Sequence, residues 1–327
     1  MKKYLIIMMA VLSLSLAACG SGAGDNTSDE GQEATSNEKV SVVSINEAGE
    51  EEEIEVAMSP KKIVALDMAA LDNLVSLGLG ENVVGVARNS IPYLEEITNR
   101  EGVENVGTLK QPDLEKIMEL EPDLIVMGGR GAEFYEQLKA IAPTIRLTID
   151  ATATGVYEGT KINATKIASI FGLEDEVDSM MAGFNERIEA IKEISKDKTA
   201  LVGIVTNGGF NTLGKGGRLS LIGNELGFNN IGVEADEDTA SHGNEASFEY
   251  IVQQDPDYIF ILDRDSAIGE EGAKLAKDIM ENELVMSTRA YKEGKMIIVE
   301  NPSVWYTAEG GLKALDIMLS DIENTVK

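Results

Sequence analysis

The sequence predicts an α/β protein built as two pseudo-symmetric α/β lobes joined by a long rigid helix. Three observations predict it. Short apolar runs alternate with helical patterns from Lys61 onward, a segment recurs at a fixed offset of 134 residues, and one unbroken amphipathic pattern lies between the two copies.

The chain opens on Lys2 and Lys3, followed by the apolar run Tyr4–Leu16 and then Leu16-Ala17-Ala18-Cys19. The run is too short for the ~20 residues that span a bilayer, so residues 1–18 are expected to be a secretory signal peptide and not a permanent membrane helix. Small residues before the cleavage point suit the peptidase and the thiol allows thioether attachment, which together predict that Cys19 is the lipidated N-terminus of the mature chain. Removing residues 1–18 takes away two lysines and no acid, moving the formal charge from -29 to -31. Residues 19–39 are the lipidated cysteine and a tether. From Gly20 to Lys39 there is no Ile, Leu, Val or aromatic residue, so this segment has nothing with which to build a core. One acyl chain holds a membrane only marginally; stable anchoring takes two.

The folded part is expected to begin at residue 40, with a hairpin of Val40–Ile45 and Ile54–Met58 whose turn carries the acidic run Glu50–Glu53. Residues 40–155 form the expected N-terminal lobe, with buried strands at Ile63–Leu66, Val83–Val86 and Leu124–Met127. Residues 156–197 are the linking helices: Val177, Met180, Met181, Phe184, Ile188 and Ile191 recur on one helical face. A helical connection is stiffer than crossing strands, so modest closure is expected in place of a wide hinge motion. Residues 198–327 form the C-terminal lobe, with strands at Leu201–Val205, Tyr258–Leu262 and Met296–Val299. A helix is expected at Leu219–Leu226.

The repeat ties the lobes together. Pro112-Asp-Leu-Glu-Lys-Ile117 and Glu121-Pro-Asp-Leu-Ile-Val126 reappear as Ala246-Ser-Phe-Glu-Tyr-Ile251 and Asp255-Pro-Asp-Tyr-Ile-Phe260. Each copy is a helix capped by Asp or Ser, stopped before Pro, and followed by a strand. The same offset links Arg130 and Arg264, each just beyond the carboxyl end of its strand, where open α/β sheets bind ligands. A single loop arginine is ordinarily a solvated charge; duplicated placement sets these two apart. Arg218, after Gly214-Lys-Gly-Gly217, is a third candidate. In a chain with 57 acidic and 28 basic residues, cations gathered in one cleft point to an anionic ligand.

Composition excludes other chemistries. The acidic surplus repels nucleic acid and acidic headgroups. One Cys and one His rule out a disulfide framework within the chain and the metal sites that need several imidazoles or thiolates. There is no G-x-S-x-G or G-x-G-x-x-G, and Gly209-Phe-Asn-Thr-Leu-Gly-Lys215 ends in Gly216 where a P-loop needs Ser or Thr, so it is expected to be a turn. His242 lies on a polar, Gly-containing loop before the second repeat helix and Tyr306 in Asn301-Pro-Ser-Val-Trp-Tyr306 after the last strand, neither on an apolar stripe. A lone His is ordinarily a hydrogen-bonding residue and a Tyr beside Trp305 ordinarily packing. A hard ferric ion nonetheless accepts imidazole and phenolate as its last ligands when a chelator supplies the others.

The lipobox, the duplicated helices, Gly-Gly-Arg at 128–130, Ser-His-Gly at 241–243, Leu-Asp-Arg at 262–264 and Trp-Tyr at 305–306 together resemble the siderophore-binding lipoproteins of iron(III) ABC importers, in the branch handling catecholate siderophores such as petrobactin. The resemblance runs from Lys61 to the C-terminus and implies the helical-backbone periplasmic-binding-protein fold. It implies that Arg130, Arg218 and Arg264 hold an anionic ferric catecholate, that His242 and Tyr306 complete the iron sphere, and that Glu115 and Glu249, equivalent in the two repeat helices, dock on the two-fold permease dimer with its separate ATPase. It also implies a lipid anchor carrying palmitate, an extracytoplasmic monomer, no permanently bound cofactor, iron(III) arriving only as a siderophore complex, and no catalysis. Asn244 departs from the Gln more usual after His-Gly. A haem- or corrinoid-binding lipoprotein of the same fold is the alternative, with His242 as axial ligand. An esterase built on Ser241 and His242 is a further class, but adjacent residues on one loop rarely face each other productively.

Overall fold

The computed structural model describes residues 38–88, 91–233 and 243–326. Cys19, the signal segment, the tether up to residue 37, Ser241 and His242 lie outside the described residues, whereas Lys39, expected at the end of the tether, is the first residue of the hairpin because it pairs with Ala57.

The chain begins with an antiparallel hairpin, β1 (Lys39–Ile45) and β2 (Glu51–Ala57), with Lys39 opposite Ala57 and Ile45 opposite Glu51. The turn lies earlier than expected. Asn46 Oδ1 accepts the Glu50 N–H at 2.9 Å, and Glu51–Glu53 belong to β2. A period of two explains the difference: Glu51, Glu53 and Glu55 face solvent while Glu52, Ile54 and Val56 turn inward. Glu52 is satisfied there by the Tyr135 hydroxyl at 2.5 Å and the Lys139 ammonium at 3.0 Å. Tyr135 in turn shares a 2.9 Å hydrogen bond with Ser44, whose oxygen takes the Arg146 N–H, so one polar chain staples the hairpin to the first lobe.

That lobe is a five-stranded sheet ordered β5-β4-β3-β6-β7, formed by β3 (Ile63–Leu66), β4 (Val83–Arg88), β5 (Glu104–Thr108), β6 (Leu124–Met127) and β7 (Thr144–Arg146), with every pairing parallel. β3 and β6 are buried throughout because helices cover both faces, which is why they read as continuous apolar runs. The second lobe contains β8 (Thr199–Thr206), β9 (Gly209–Thr212), β10 (Asn229–Asn230), β11 (Asn244–Glu245), β12 (Tyr258–Asp263) and β13 (Met296–Ile298), in the order β11-β9-β8-β12-β13 with β10 also paired to β8. β8, β12 and β13 are parallel; β9 folds back antiparallel on β8. The expected turn at Gly209–Lys215 is therefore half strand. The reversal itself is made by Asn207 and Gly208, both at positive φ.

The repeat is visible in detail. Helices Leu114–Leu120 and Phe248–Gln254 are capped by Asp113 and Ser247, each accepting an N–H at 3.2 Å, and each ends in a left-handed residue, Glu121 and Asp255. The aspartates that follow the prolines then pin the neighbouring strand. Asp123 takes the N–H groups of Lys61 and Lys62, and Asp257 takes the backbone N–H and the side-chain O–H of Thr199. β6 and β12 consequently present their carboxyl ends, with Arg130 and Arg264 beyond them, in equivalent settings.

The connecting helix runs Glu174–Ser195, 22 residues and about 33 Å at 1.5 Å per residue. Val177, Met181, Ile188 and Ile191 are buried, whereas Met180, expected on that face, is 38% exposed at its edge. Arg187 locks this helix to the C-terminal helix Leu312–Glu323 through Asp316 at 2.6 Å and Glu323 at 2.7 Å.

A second clasp joins the first lobe to the same C-terminal helix. Asp72, buried in helix Met68–Ser76, accepts the N–H groups of Lys313 and Ala314 at 3.0 and 2.7 Å, and Asn73 accepts that of Leu312 while donating to the Gly310 carbonyl. These are the first-turn donors that a helix leaves without partners. Tyr93 and Ser76 hydroxyls complete the Asp72 carboxylate. A Cβ at Gly311 would come within 2.1 Å of Asp72 Oδ2, so only glycine admits the approach.

Replacing Asp72 by Ala removes a helix cap and leaves buried donors and hydroxyls without partners; urea denaturation is expected to show a loss of about 2–4 kcal/mol. A pH test addresses the hairpin staple. Burial and the hydrogen bond to Glu52 push the Tyr135 phenol from 10.0 up to about 12. A folded-state pKa above the unfolded one means stability is complete below pH 10 and declines as pH rises toward 12. Y135F is expected to flatten that alkaline decline in thermal melts.

Candidate functional site

Three guanidinium groups converge on one phenol ring. The Arg130, Arg218 and Arg264 carbons lie 5.7, 5.2 and 5.8 Å from the centroid of the Tyr306 ring, within cation–π range. Arg130 comes from the first lobe and the other three residues from the second, so the gathering spans the cleft.

Each arginine is aimed by its own local structure. Arg130 donates from Nη2 to the Tyr306 carbonyl at 2.8 Å. Its approach depends on Gly128, since a Cβ there would stand 2.2 Å from Asp67 Oδ2. Asp67 caps helix Met68–Ser76 through the Ala69 and Ala70 N–H groups at 2.9 and 3.1 Å. Arg264 opens a short helix, donating from Nε to the Tyr306 hydroxyl at 3.3 Å and from Nη1 to Asp265 at 3.1 Å. Buried Asp265 also takes the Asn207 N–H, tying the arginine to the β8–β9 reversal. Arg218 precedes Leu219, a fully buried residue held at φ 59°. That left-handed backbone costs about 1–2 kcal/mol for a side chain of this kind. It also shortens the helix expected at Leu219–Leu226 to Ser220–Asn224, because Leu219 is now its non-helical cap and Glu225 is drawn away to the Val156 and Tyr157 N–H groups.

A cavity of about 320 Å³ opens between the lobes, its walls including Asp67, Asn73, Arg130, Thr148, Arg218 and Glu309. A second of about 430 Å³ adjoins it, sharing Thr148, Arg218 and Glu309. Burial, reinforced by the Arg218 charge, disfavours the charged form of Arg130 more than Asp67, Tyr306 and Glu309 favour it. Burial likewise raises the Asp67 and Glu309 carboxyls above the ordinary range, against the pull of Arg130 and Arg218. Arginine does not release its proton in proteins, so a cleft with these opposing pulls gains from an incoming anion.

Asp67 and Glu309 are the site residues that sequence reasoning missed. Asp67 follows strand β3 directly at its carboxyl end and is a good helix cap, so position alone could have found it. Glu309 carries no such mark. Glu115 and Glu249 are both exposed in the first turns of the repeat helices. Tyr306 offers the one expected ligand oxygen inside the described residues. Among those residues, no group of three or more His, Cys, Asp or Glu side chains is placed to hold a metal ion.

Residues 63–302 match the sequence model of the periplasmic binding protein family. Over 331 residues the chain is 33% identical to the petrobactin-binding protein YclQ of Bacillus subtilis (strain 168), with 99% of each chain covered. It is 28% identical over 272 residues to the ferric-anguibactin-binding protein FatB of Vibrio anguillarum (strain ATCC 68554 / 775), covering 82% of this chain and 83% of that one. The solved structure of the periplasmic catecholate-siderophore binding protein VctP from Vibrio cholerae aligns with a TM-score of 0.78 at 28% identity, over 87% of this chain and all of that one. Two lobes joined by a long helix, a family match over most of the chain and a full-length relative one-third identical place it together: the chain belongs to the periplasmic binding protein family.

Proposed function

We propose that this protein captures an anionic ferric siderophore, of the catecholate and petrobactin-like class, outside the cytoplasmic membrane and delivers it to an ABC permease. The observation that carries this reading is the meeting of Arg130, Arg218 and Arg264 around Tyr306 in a protein of formal charge -29. Against such a surplus of acid, three cations in one cleft are a local inversion of sign, and they supply charge-assisted hydrogen bonds to catecholate oxygens. The names of the relatives, which bind petrobactin, ferric anguibactin or catecholate siderophores, support the same class.

The iron is cargo carried by the chelator. Tyr306 and His242 complete its coordination where the chelator leaves positions open, Tyr306 by exchanging its hydrogen bond with Arg264 for the metal. Cys19 holds the protein to the outer face of the membrane by its acyl chains. Glu115 and Glu249 present matched carboxylates to the two halves of the permease, and the protein acts as a monomer. Binding draws the lobes together modestly, because the Arg187 and Asp72 clasps stiffen the frame between them. A haem ligand would prefer broadly apolar walls; Asp67, Arg130, Arg218 and Glu309 line this cleft instead.

Fluorescence gives a direct test. Trp305 is buried beside Tyr306 and donates to Asp321 at 2.8 Å, so it reports on the cleft. Titration with ferric petrobactin and ferric bis-catecholates is expected to quench it tightly, and a tight response to haem or cobalamin alone would overturn the assignment. Replacing Arg130 or Arg264 by Ala is expected to weaken binding about 10- to 100-fold, the loss of one charge-assisted contact. Y306F is expected to shift the charge-transfer band of a ferric bis-catecholate complex while leaving a hexadentate complex unchanged; an unmoved band in both removes Tyr306 from the iron sphere.

A further inference from the structure

The three arginines of the cleft are not held alike. Arg130 and Arg264 are each fixed to Tyr306 by a hydrogen bond, at 2.8 and 3.3 Å. Arg218 comes nearest the ring, 5.2 Å from its centroid, yet its Nε is buried without a hydrogen-bond partner and its Nη1 meets Glu309 only at a long 3.8 Å. Its aim therefore has to come from the backbone that carries it. Arg218 leads into Leu219, buried at φ 59°, a conformation that a leucine leaves unless its surroundings impose it. The five-residue helix Ser220–Asn224 that follows is too short to impose it alone.

The hold lies at the far end of that helix. Asn224 donates from Nδ2 to the carbonyls of Ala151 and Lys215, at 2.9 and 3.0 Å. Glu225 accepts on Oε1 the N–H of Val156 and, at 3.1 Å, that of Tyr157. Lys215 belongs to the loop that carries Arg218. Ala151, Val156 and Tyr157 belong to the segment by which the chain leaves the first lobe and enters the linking helix Val156–Ser169. That segment is shaped to receive the carboxylate. Asp150 folds it into a turn by accepting the N–H groups of Thr152 and Ala153 at 3.0 and 2.8 Å. Gly155 stands at φ 85°, and a Cβ there would come within 2.6 Å of Glu225 Oε1. The two N–H groups are first-turn donors of a 14-residue helix, where the backbone dipole favours a negative charge. Gly155, having no side chain, leaves that cap to a residue of the other lobe.

Resting on the function proposed above, we infer that Glu225 is a positioning residue for Arg218. Anchored on the linking helix, it holds helix Ser220–Asn224 and the strained Leu219 in the arrangement that puts the Arg218 guanidinium at the Tyr306 ring. Arg130 and Arg264 have their own hydrogen bonds and do not depend on it. A displacement at the joint between the lobes is thereby passed to the ligand through Arg218.

The test titrates a ferric bis-catecholate into the full-length protein, reads Trp305 fluorescence, and combines substitutions in double-mutant cycles. E225A is expected to weaken binding about tenfold, the value of one charge-assisted contact. On the R218A background the same change is expected to cost nothing further, whereas on the R264A background it costs its full effect. E225Q keeps the accepting oxygen and is expected to stay within about threefold of wild type. A loss that persists undiminished on R218A overturns the inference, because Glu225 then acts on the frame as a whole; so does an unchanged affinity in E225A or in R218A alone. If E225A does not fold, N224A decides, at an exposed position: binding about threefold weaker with Arg218 present and unchanged without it is the expected result, and an equal effect on both backgrounds overturns the inference. Failure of wild type to bind the chelate overturns the proposed function, while tight binding by wild type with additive E225A and R218A overturns this inference alone.

Discussion

The constraint on which this molecule turns is the burial of positive charge. Three guanidiniums within 6 Å of one ring centroid repel one another, and burial strips them of the water that would soften the repulsion. The protein answers with acids set behind and between them. Asp265 sits against Arg264, Asp67 behind Arg130, and Glu309 at a distance from Arg218. The aromatic face of Tyr306 supplies negative potential without a further formal charge. The resulting balance keeps the cleft assembled without a ligand while leaving it able to gain from one.

Such a balance works only if the lobes stay in register, because Arg130 reaches the ring from the opposite side. The Arg187 fork and the Asp72–Asn73 clasp provide the register, both acting on the C-terminal helix. That helix belongs to the second lobe, yet its first turn is capped by the first. Gly310, whose carbonyl takes the Asn73 amide, adjoins Glu309, so the element that fixes the lobes also fixes a wall of the cleft.

Much of this was legible in the sequence, for physical reasons that differ between elements. Strands β3, β6 and β12 are buried on both faces and so spell themselves out as apolar runs. Arg130 and Arg264 could be paired because duplication preserved their distance from a proline, and the structure places both at the ring of Tyr306. The acidic turn is not legible from charge alone, because the two-residue period of β2 carries Glu51–Glu53 into the strand. Met180 lies at the edge of its helical face, where one 100° step decides exposure. Asp72 and Glu309 were not legible at all. Their partners lie some 240 and 90 residues away in the chain, and nothing local to Leu71-Asp72-Asn73 or Ala308-Glu309-Gly310 announces them.

The Asp72 clasp has a consequence for how the polypeptide matures. The carboxylate lies near the start of the chain and its amide partners lie near the end, so the earliest lobe keeps an incompletely solvated buried acid until the last helix has emerged and docked. Chain order thus makes docking of helix Leu312–Glu323 a condition for the finished first lobe: without that helix, Asp72 lacks the Lys313 and Ala314 amides that satisfy it.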